Sequence, residues 1–225
     1  METSLTKKRL SYLEIFTMLE ELSRQENISF KPAEKNTFLL NDSIDEKLFC
    51  ILPPLFPEPE EGMPLTDYIK KVPETPPAYI IVLIQAGAAA LGCFEKSEVT
   101  AHKALTKYMV RKKRGKSQLT YLRQKGKSRA GSRIRLRESM EFFEEINSRL
   151  INWKEHLKKT SIIFSSCPVR LTNELYQAKA QPPFERKDKR LKKIPFHVNT
   201  PNHKELIHIN YLLNSGYFLS ETTET

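Results

Sequence analysis

Gln118 ends a string of unusual charge, Arg111-Lys112-Lys113-Arg114-Gly115-Lys116-Ser117-Gln118, within a stretch from Lys103 to Arg137 that holds fourteen Lys or Arg and no Asp or Glu. A side-chain amide neither gains nor loses a proton at neutral pH, so Gln118 can be neither general base nor nucleophile. Its two donors and one acceptor can instead hold a water or a ribose hydroxyl against an ester carbonyl or a phosphate. Charge as unbalanced as that around it implies a polyanion, most commonly nucleic acid. Each phosphate neutralised would release counterions, so binding should weaken steeply with salt. Read alone, the basic run is also compatible with a solvated surface that has no enzymatic role.

Such a loop needs a scaffold. Tyr79-Ile80-Ile81-Val82-Leu83-Ile84 is continuously apolar, as a strand buried on both faces should be. Ala88 to Phe94 and Glu98 to Leu105 follow across short turns, predicting a three-stranded meander that delivers the chain into the basic segment. Mutual repulsion and Gly126 and Gly131 should keep residues 111–131 extended until an anion neutralises them. Beyond, Met140, Phe143, Ile146, Leu150, Trp153 and Leu157 recur every three or four residues, predicting a long helix near 133–158 with Ser132 as its cap. Strands at 161–164 and 193–198 and helices at 172–178 and 201–214 complete an alternation that argues for an α/β fold with a mixed β-sheet and packed helices.

The N-terminal part reads differently. Residues 1–78 carry nine basic and fourteen acidic side chains, a net of −5, so residues 79–225 carry +15 and the whole chain +10. The polyanion-binding half is therefore the C-terminal one. Residues 5–25 show helical spacing of Leu5, Leu10, Leu13, Phe16, Leu19 and Leu22, and 31–40 and 48–52 could be strands, giving a small α+β region over 1–52. Prolines crowd 53–77, read as a linker or wrapping segment. The main domain is expected over 78–218, with 219–225 a disordered tail.

The wider string resembles a known family. Ala101-His102-Lys103, Tyr108 to Gln118, and Ser128-Arg129-Ala130-Gly131-Ser132-Arg133-Ile134-Arg135, with Leu191 to Phe196 and Thr200 to Leu206 later, look like the Vms-type release-factor-like domain over about residues 79–215. That family is related to the middle domain of eukaryotic and archaeal class-one peptide-release factors. The resemblance implies a release-factor middle-domain fold and release of nascent chains stalled on large ribosomal subunits, by cleavage of peptidyl-tRNA at the peptidyl ester or at a tRNA phosphodiester. It makes Gln118 the catalytic residue and Gly115 and Ser117 the residues that shape its loop. Arg111, Lys112, Lys113, Arg114, Lys116, Arg123, Lys125, Lys127, Arg129, Arg133 and Arg135 would hold phosphates of tRNA or ribosomal RNA. Lys116 and Ser117 stand where a release factor has two glycines, whose backbone freedom they lack. A non-catalytic ribosome- or RNA-binding module using the same loop is the alternative.

Other constellations are poorer. His197, His203 and His208 lack the spacing of a shared metal-binding face. Glu138, Glu141, Glu144 and Glu145 read as a solvated acidic helix face, with Glu145 and Arg149 as i,i+4 partners. Few carboxylates fall on strands beyond Glu98, which argues against a two-metal nuclease. Cys50, Cys93 and Cys167 are widely spaced, suggesting a reducing, cytoplasmic setting rather than disulfides or zinc. The longest apolar run, Tyr79 to Phe94, is broken by Gln85 and Gly87 and is short for a bilayer. A monomer with no cofactor, metal or membrane partner is expected.

Overall fold

The apolar run that begins at Tyr79 is buried on both sides. It forms β5 (Tyr79–Gln85), whose first six residues are all buried. Alternate side chains point to opposite layers. Ile80, Val82 and Ile84 enter a cluster with Phe142, Phe143, Ile146 and Leu150. On the other face the Tyr79 ring stacks on Phe94 at 5.1 Å and meets Phe164 edge-on at 6.2 Å. The structure is a computed structural model that describes residues 3–24, 28–34, 37–42, 46–107 and 127–223, with the backbone alone at 3–5, 34, 41–42, 46, 127–136 and 222–223.

β5 continues antiparallel into β6 (Ala88–Glu95) and β7 (Glu98–Thr106), the predicted meander. β8 (Ile162–Ser166) pairs parallel to β5, and β9 (Leu191–Lys193) parallel to β8, so the sheet is mixed, in the order β7-β6-β5-β8-β9. The connection from β7 to β8 carries α3 (Lys127–Asn152) and α4 (Lys154–Lys159), and that from β8 to β9 carries α5 (Val169–Gln177). α6 (His203–Leu213) lies on the opposite face from α3. A Cβ added at Gly92 would stand 2.9 Å from Leu206 and 2.8 Å from Phe94, so a residue without a side chain is required for α6 to approach the sheet this closely.

A second sheet is antiparallel, ordered β1-β10-β4-β3-β2, from β1 (Thr3–Ser11), β2 (Lys31–Glu34), β3 (Thr37–Asp42), β4 (Glu46–Ile51) and β10 (Ser215–Thr223). With it go α1 (Tyr12–Ser23) and α2 (Leu65–Ile69). The chain divides into two compact units, Met1–Pro77 with His208–Thr225, and Ala78–Ile207. In the first, the proline-rich residues 53–77 bury Leu55, Phe56, Leu65, Tyr68 and Val72. The Tyr68 hydroxyl donates to the Pro57 carbonyl at 2.7 Å and that of Tyr12 to Pro73 at 2.8 Å.

Several sequence expectations are corrected. Residues 3–11 are strand, not the start of a helix: they pair with β10 some two hundred positions away, and such non-local pairing overrides local periodicity. The helix starts after Ser11, whose hydroxyl and the Glu14 carboxylate form a reciprocal capping box. Residues 219–223, expected as a tail, finish β10 for the same non-local reason. α3 begins at Lys127, so Ser132 is internal rather than a cap, and the helical run breaks at Trp153, whose ψ of 25° leaves helical geometry. Met140 is 58% exposed and Phe142 is buried in its stead. β9 stops at Lys193 rather than extending to 198, with Pro195, which has no N–H for a ladder, just beyond.

Candidate nucleic-acid interface

β5, β7, β8 and β9 run in one direction, so their carboxyl ends share one edge of the sheet. Open α/β sheets commonly take ligands at that edge. β7 ends there at Thr106, and the next residue enters the basic segment; the chain is described again from Lys127, at the start of α3.

The root of the segment is tied down at both ends. The Lys107 N–H donates to the Gly87 carbonyl at 2.9 Å, in the turn between β5 and β6. Gly87 has φ +83°, a conformation that favours glycine. Two cations flank one carboxylate: Lys107 Nζ lies 3.8 Å from Glu141 Oε2, and Arg137 Nε 3.5 Å from Glu141 Oε1. Glu141 therefore joins the end of β7 to α3. These groups are partly exposed, so the pairs define direction more than they add stability. Among the described residues they are the ion pairs of α3, in place of the expected pairing of Glu145 with Arg149.

At the same edge Gln85 Nε2 donates to the carbonyls of Val198 at 2.9 Å and Asn199 at 3.0 Å. Glu205 Oε1 accepts from the Asn199 N–H at 2.7 Å, and Asn202 Oδ1 accepts from the Glu205 N–H at 2.9 Å, an N-terminal cap for α6. The buried Glu205 carboxylate is thus committed to holding the chain before α6. His102 on β7 and His203 at the start of α6 bring their rings to 4.3 Å. Sequence reasoning assigned no role to either His203 or the Gln85 bridge; the sheet register that aligns them is not legible in local spacing.

Of the site residues expected from the sequence, Arg111, Lys112, Lys113, Arg114, Gly115, Lys116, Ser117, Gln118, Arg123 and Lys125 lie outside the described residues. Lys127, Arg129, Arg133 and Arg135 occupy the first turns of α3, where an extended loop was expected as far as 131. Arg129, Arg133 and Arg137 recur every fourth residue and so follow one side of the helix.

The described residues offer little competing chemistry. No group of three or more His, Cys, Asp or Glu among them could hold a metal ion. Burial pushes the Cys93 thiol up to about 12, with the Glu95 charge adding to the shift, and burial raises Cys167 as well. Neither supplies a thiolate nucleophile at neutral pH. No helix among the described residues is long and apolar enough to cross a membrane.

Residues 79–220 match the family described as Bacteroidetes VLRF1 release factor. A Caenorhabditis elegans protein named tRNA endonuclease vms-1 is 32% identical over 128 residues, 56% of this chain and 20% of that protein. A Homo sapiens protein named tRNA endonuclease ANKZF1 is 27% identical over 175 residues, 76% of this chain and 24% of that one. The chain thus spans about a fifth of the length of the curated relatives it matches. Among solved structures, one titled Vms1 mitochondrial localization core superposes with a TM-score of 0.50 at 15% identity, covering 90% of this chain and 81% of that one.

Proposed function

The chain belongs to the Bacteroidetes VLRF1 release factor family, and from that membership we propose that it frees nascent chains from stalled large ribosomal subunits by cleaving peptidyl-tRNA with the basic loop that carries Gln118. The observation that carries this reading is the family match over residues 79–220, which includes the whole segment between β7 and α3. The root of that segment, held by Gly87 and Glu141 at the carboxyl edge of the sheet, supports a probe that projects from a rigid base.

In this reading the lysines and arginines of the loop and of the first turns of α3 neutralise tRNA and ribosomal RNA phosphates, and Gln118 orients the attacking oxygen. The relatives' name, tRNA endonuclease, favours the phosphodiester over the peptidyl ester. The attacking group is then a ribose 2′-hydroxyl near the tRNA 3′ end, whose oxygen bonds to phosphorus as the 5′-oxygen of the next nucleotide leaves with a proton. The amide holds the hydroxyl in line and itself gains no charge.

The test is incubation with purified stalled large subunits, followed by separation of the tRNA product. Wild-type protein should release the nascent chain and leave a tRNA shortened at its 3′ end, and Gln118→Ala should lose about a hundredfold in rate while binding normally. A full-length tRNA product would assign the ester instead. Release by Gln118→Ala at the wild-type rate would remove Gln118 from the chemistry, and binding without release by the wild-type protein would leave a binding module without catalysis.

A further inference from the structure

A second basic surface lies at the edge of the sheet opposite the loop. Between Glu174 and Glu205 there are eight Lys or Arg and only two acids, Glu185 and Asp188. Asp188 is consumed internally: its carboxylate accepts from Arg190 Nε at 3.1 Å and Nη2 at 2.8 Å, and those hydrogen bonds lower its pKa from the ordinary carboxylate value. Arg190 in turn donates through Nη1 to the Leu157 carbonyl at 2.9 Å, at the end of α4, and its own carbonyl accepts from the Ile163 N–H at 2.7 Å. Arg186 lies over the Tyr176 ring at 4.8 Å and donates to Asn173 at 2.8 Å. Both arginines are therefore spent on rigidifying the turn before β9.

The lysines are not. Lys187, Lys189 and Lys193 are exposed, and among the described residues none of them has an acidic partner. A rigid turn that uses its arginines and Asp188 for structure, and leaves Glu185 as the one exposed acid beside three outward lysines without an ion-pair partner among the described residues, is built to meet anions as point charges. The Tyr176 ring has Arg186 over it at 4.8 Å, so that ring is not offered as a stacking platform beside the lysines. This favours phosphate contacts on a duplex over readout of unstacked bases.

β7 and β9 are the two edge strands, four inter-strand steps or roughly 19 Å apart. We propose that Lys187, Lys189 and Lys193 dock the phosphate backbone of the base-paired tRNA arm that carries the 3′ end, while the loop on the β7 edge addresses that end. The proposal rests on the reading of the loop as acting at a tRNA 3′ end. It gives the exposed lysines beside β9 a task separate from that of the basic segment that follows β7 in the sequence: adjoining duplex for the first, single-stranded end for the second.

The test measures binding of the full chain by fluorescence anisotropy as a function of salt, using intact tRNA, a minihelix of the acceptor arm, and a short single strand with the 3′-terminal sequence. K187E/K189E/K193E should weaken binding to tRNA and minihelix at least about tenfold and reduce the log–log salt slope by about three, leaving the single strand unaffected. K187Q/K189Q/K193Q, with an unchanged melting temperature, should act in the same direction to a smaller extent. Unchanged tRNA and minihelix affinity in both variants would overturn the proposal. So would loss of binding to large ribosomal subunits alone, which would assign the lysines to ribosomal RNA. A chain that binds the minihelix through these lysines yet cleaves nothing would refute the catalytic reading and leave the docking surface standing; cleavage with indifference to the lysines would do the reverse.

Discussion

At the scale of single residues, the buried polar groups show how the site-bearing unit is held. Asn147 is fully buried on α3, and its Nδ2 donates to the carbonyls of Leu175 at 2.8 Å and Ala180 at 2.7 Å. It therefore ties the end of α5 and the following turn to the helix that leads out of the basic loop. Asn147→Ala would leave two carbonyls without their donor and should destabilise by about 2 kcal/mol, measurable by denaturant unfolding. The buried titratable groups set a pH limit. Burial raises Cys93 from 9.0 and Tyr12 from 10.0, each to about 12. Both folded values lie above the unfolded ones, so their contribution is fully present below the unfolded value and is lost as pH rises through the folded one. The melting temperature should hold constant from neutral pH to about pH 9 and decline from there towards pH 12, and Cys93→Ala should flatten part of that decline.

At the scale of elements, the packing of α6 on the sheet helps hold the unit from which the basic segment leaves. α6 packs against the sheet where Gly92 leaves room, and both Leu206 and Phe94 are fully buried there. Gly92→Ala should therefore cost about 1–3 kcal/mol through overpacking, read as a lower midpoint in thermal or urea unfolding. The loop itself is an electrostatic element. Reversing Lys112, Lys113 and Arg114 to Glu should lower the slope of log affinity against log salt by about three for tRNA or large subunits, with little change in melting temperature. An unchanged slope would remove the loop from the docking surface. Glu141→Gln, by contrast, breaks only partly exposed ion pairs and should shift stability by less than about 1 kcal/mol.

At the scale of the whole molecule, the chain is discontinuous in one of its units. β10 pairs with β1 on one side and β4 on the other, so the last strand in sequence is an interior strand of the sheet that opens the chain. A chain ending at Asn214 loses that strand and leaves two edges unpaired. It should expose residues 1–77 to limited proteolysis, while the core of Ala78–Ile207, which contains none of β10, stays resistant. Equal protection of both units in the truncated chain would contradict this. The second position of close approach belongs here too: a Cβ at Gly216 would stand 2.3 Å from the Ile51 carbonyl oxygen, and backbone cannot swing aside as a side chain can.

What could be read from local residues was read from them. The buried strand at Tyr79–Ile84, the meander after it and the mixed α/β sheet follow from apolar runs and their period, because side chains a few positions apart determine which face is hydrophobic. The basic segment and its Gln118 follow from composition and motif, which need no coordinates. The sequence left open everything that depends on partners far along the chain. Residues 5–11 have helical spacing but are strand because β10 supplies hydrogen bonds from far along the chain. Helical periodicity placed Met140 inward, yet the inward stripe of α3 is the one that meets the sheet, with Phe142 and Asn147 in it. Glu141 between Lys107 and Arg137, His102 beside His203, and the three lysines freed by the Asp188–Arg190 pair exist only once strands have taken their register, since energies of that kind depend on distances between residues and not on their order.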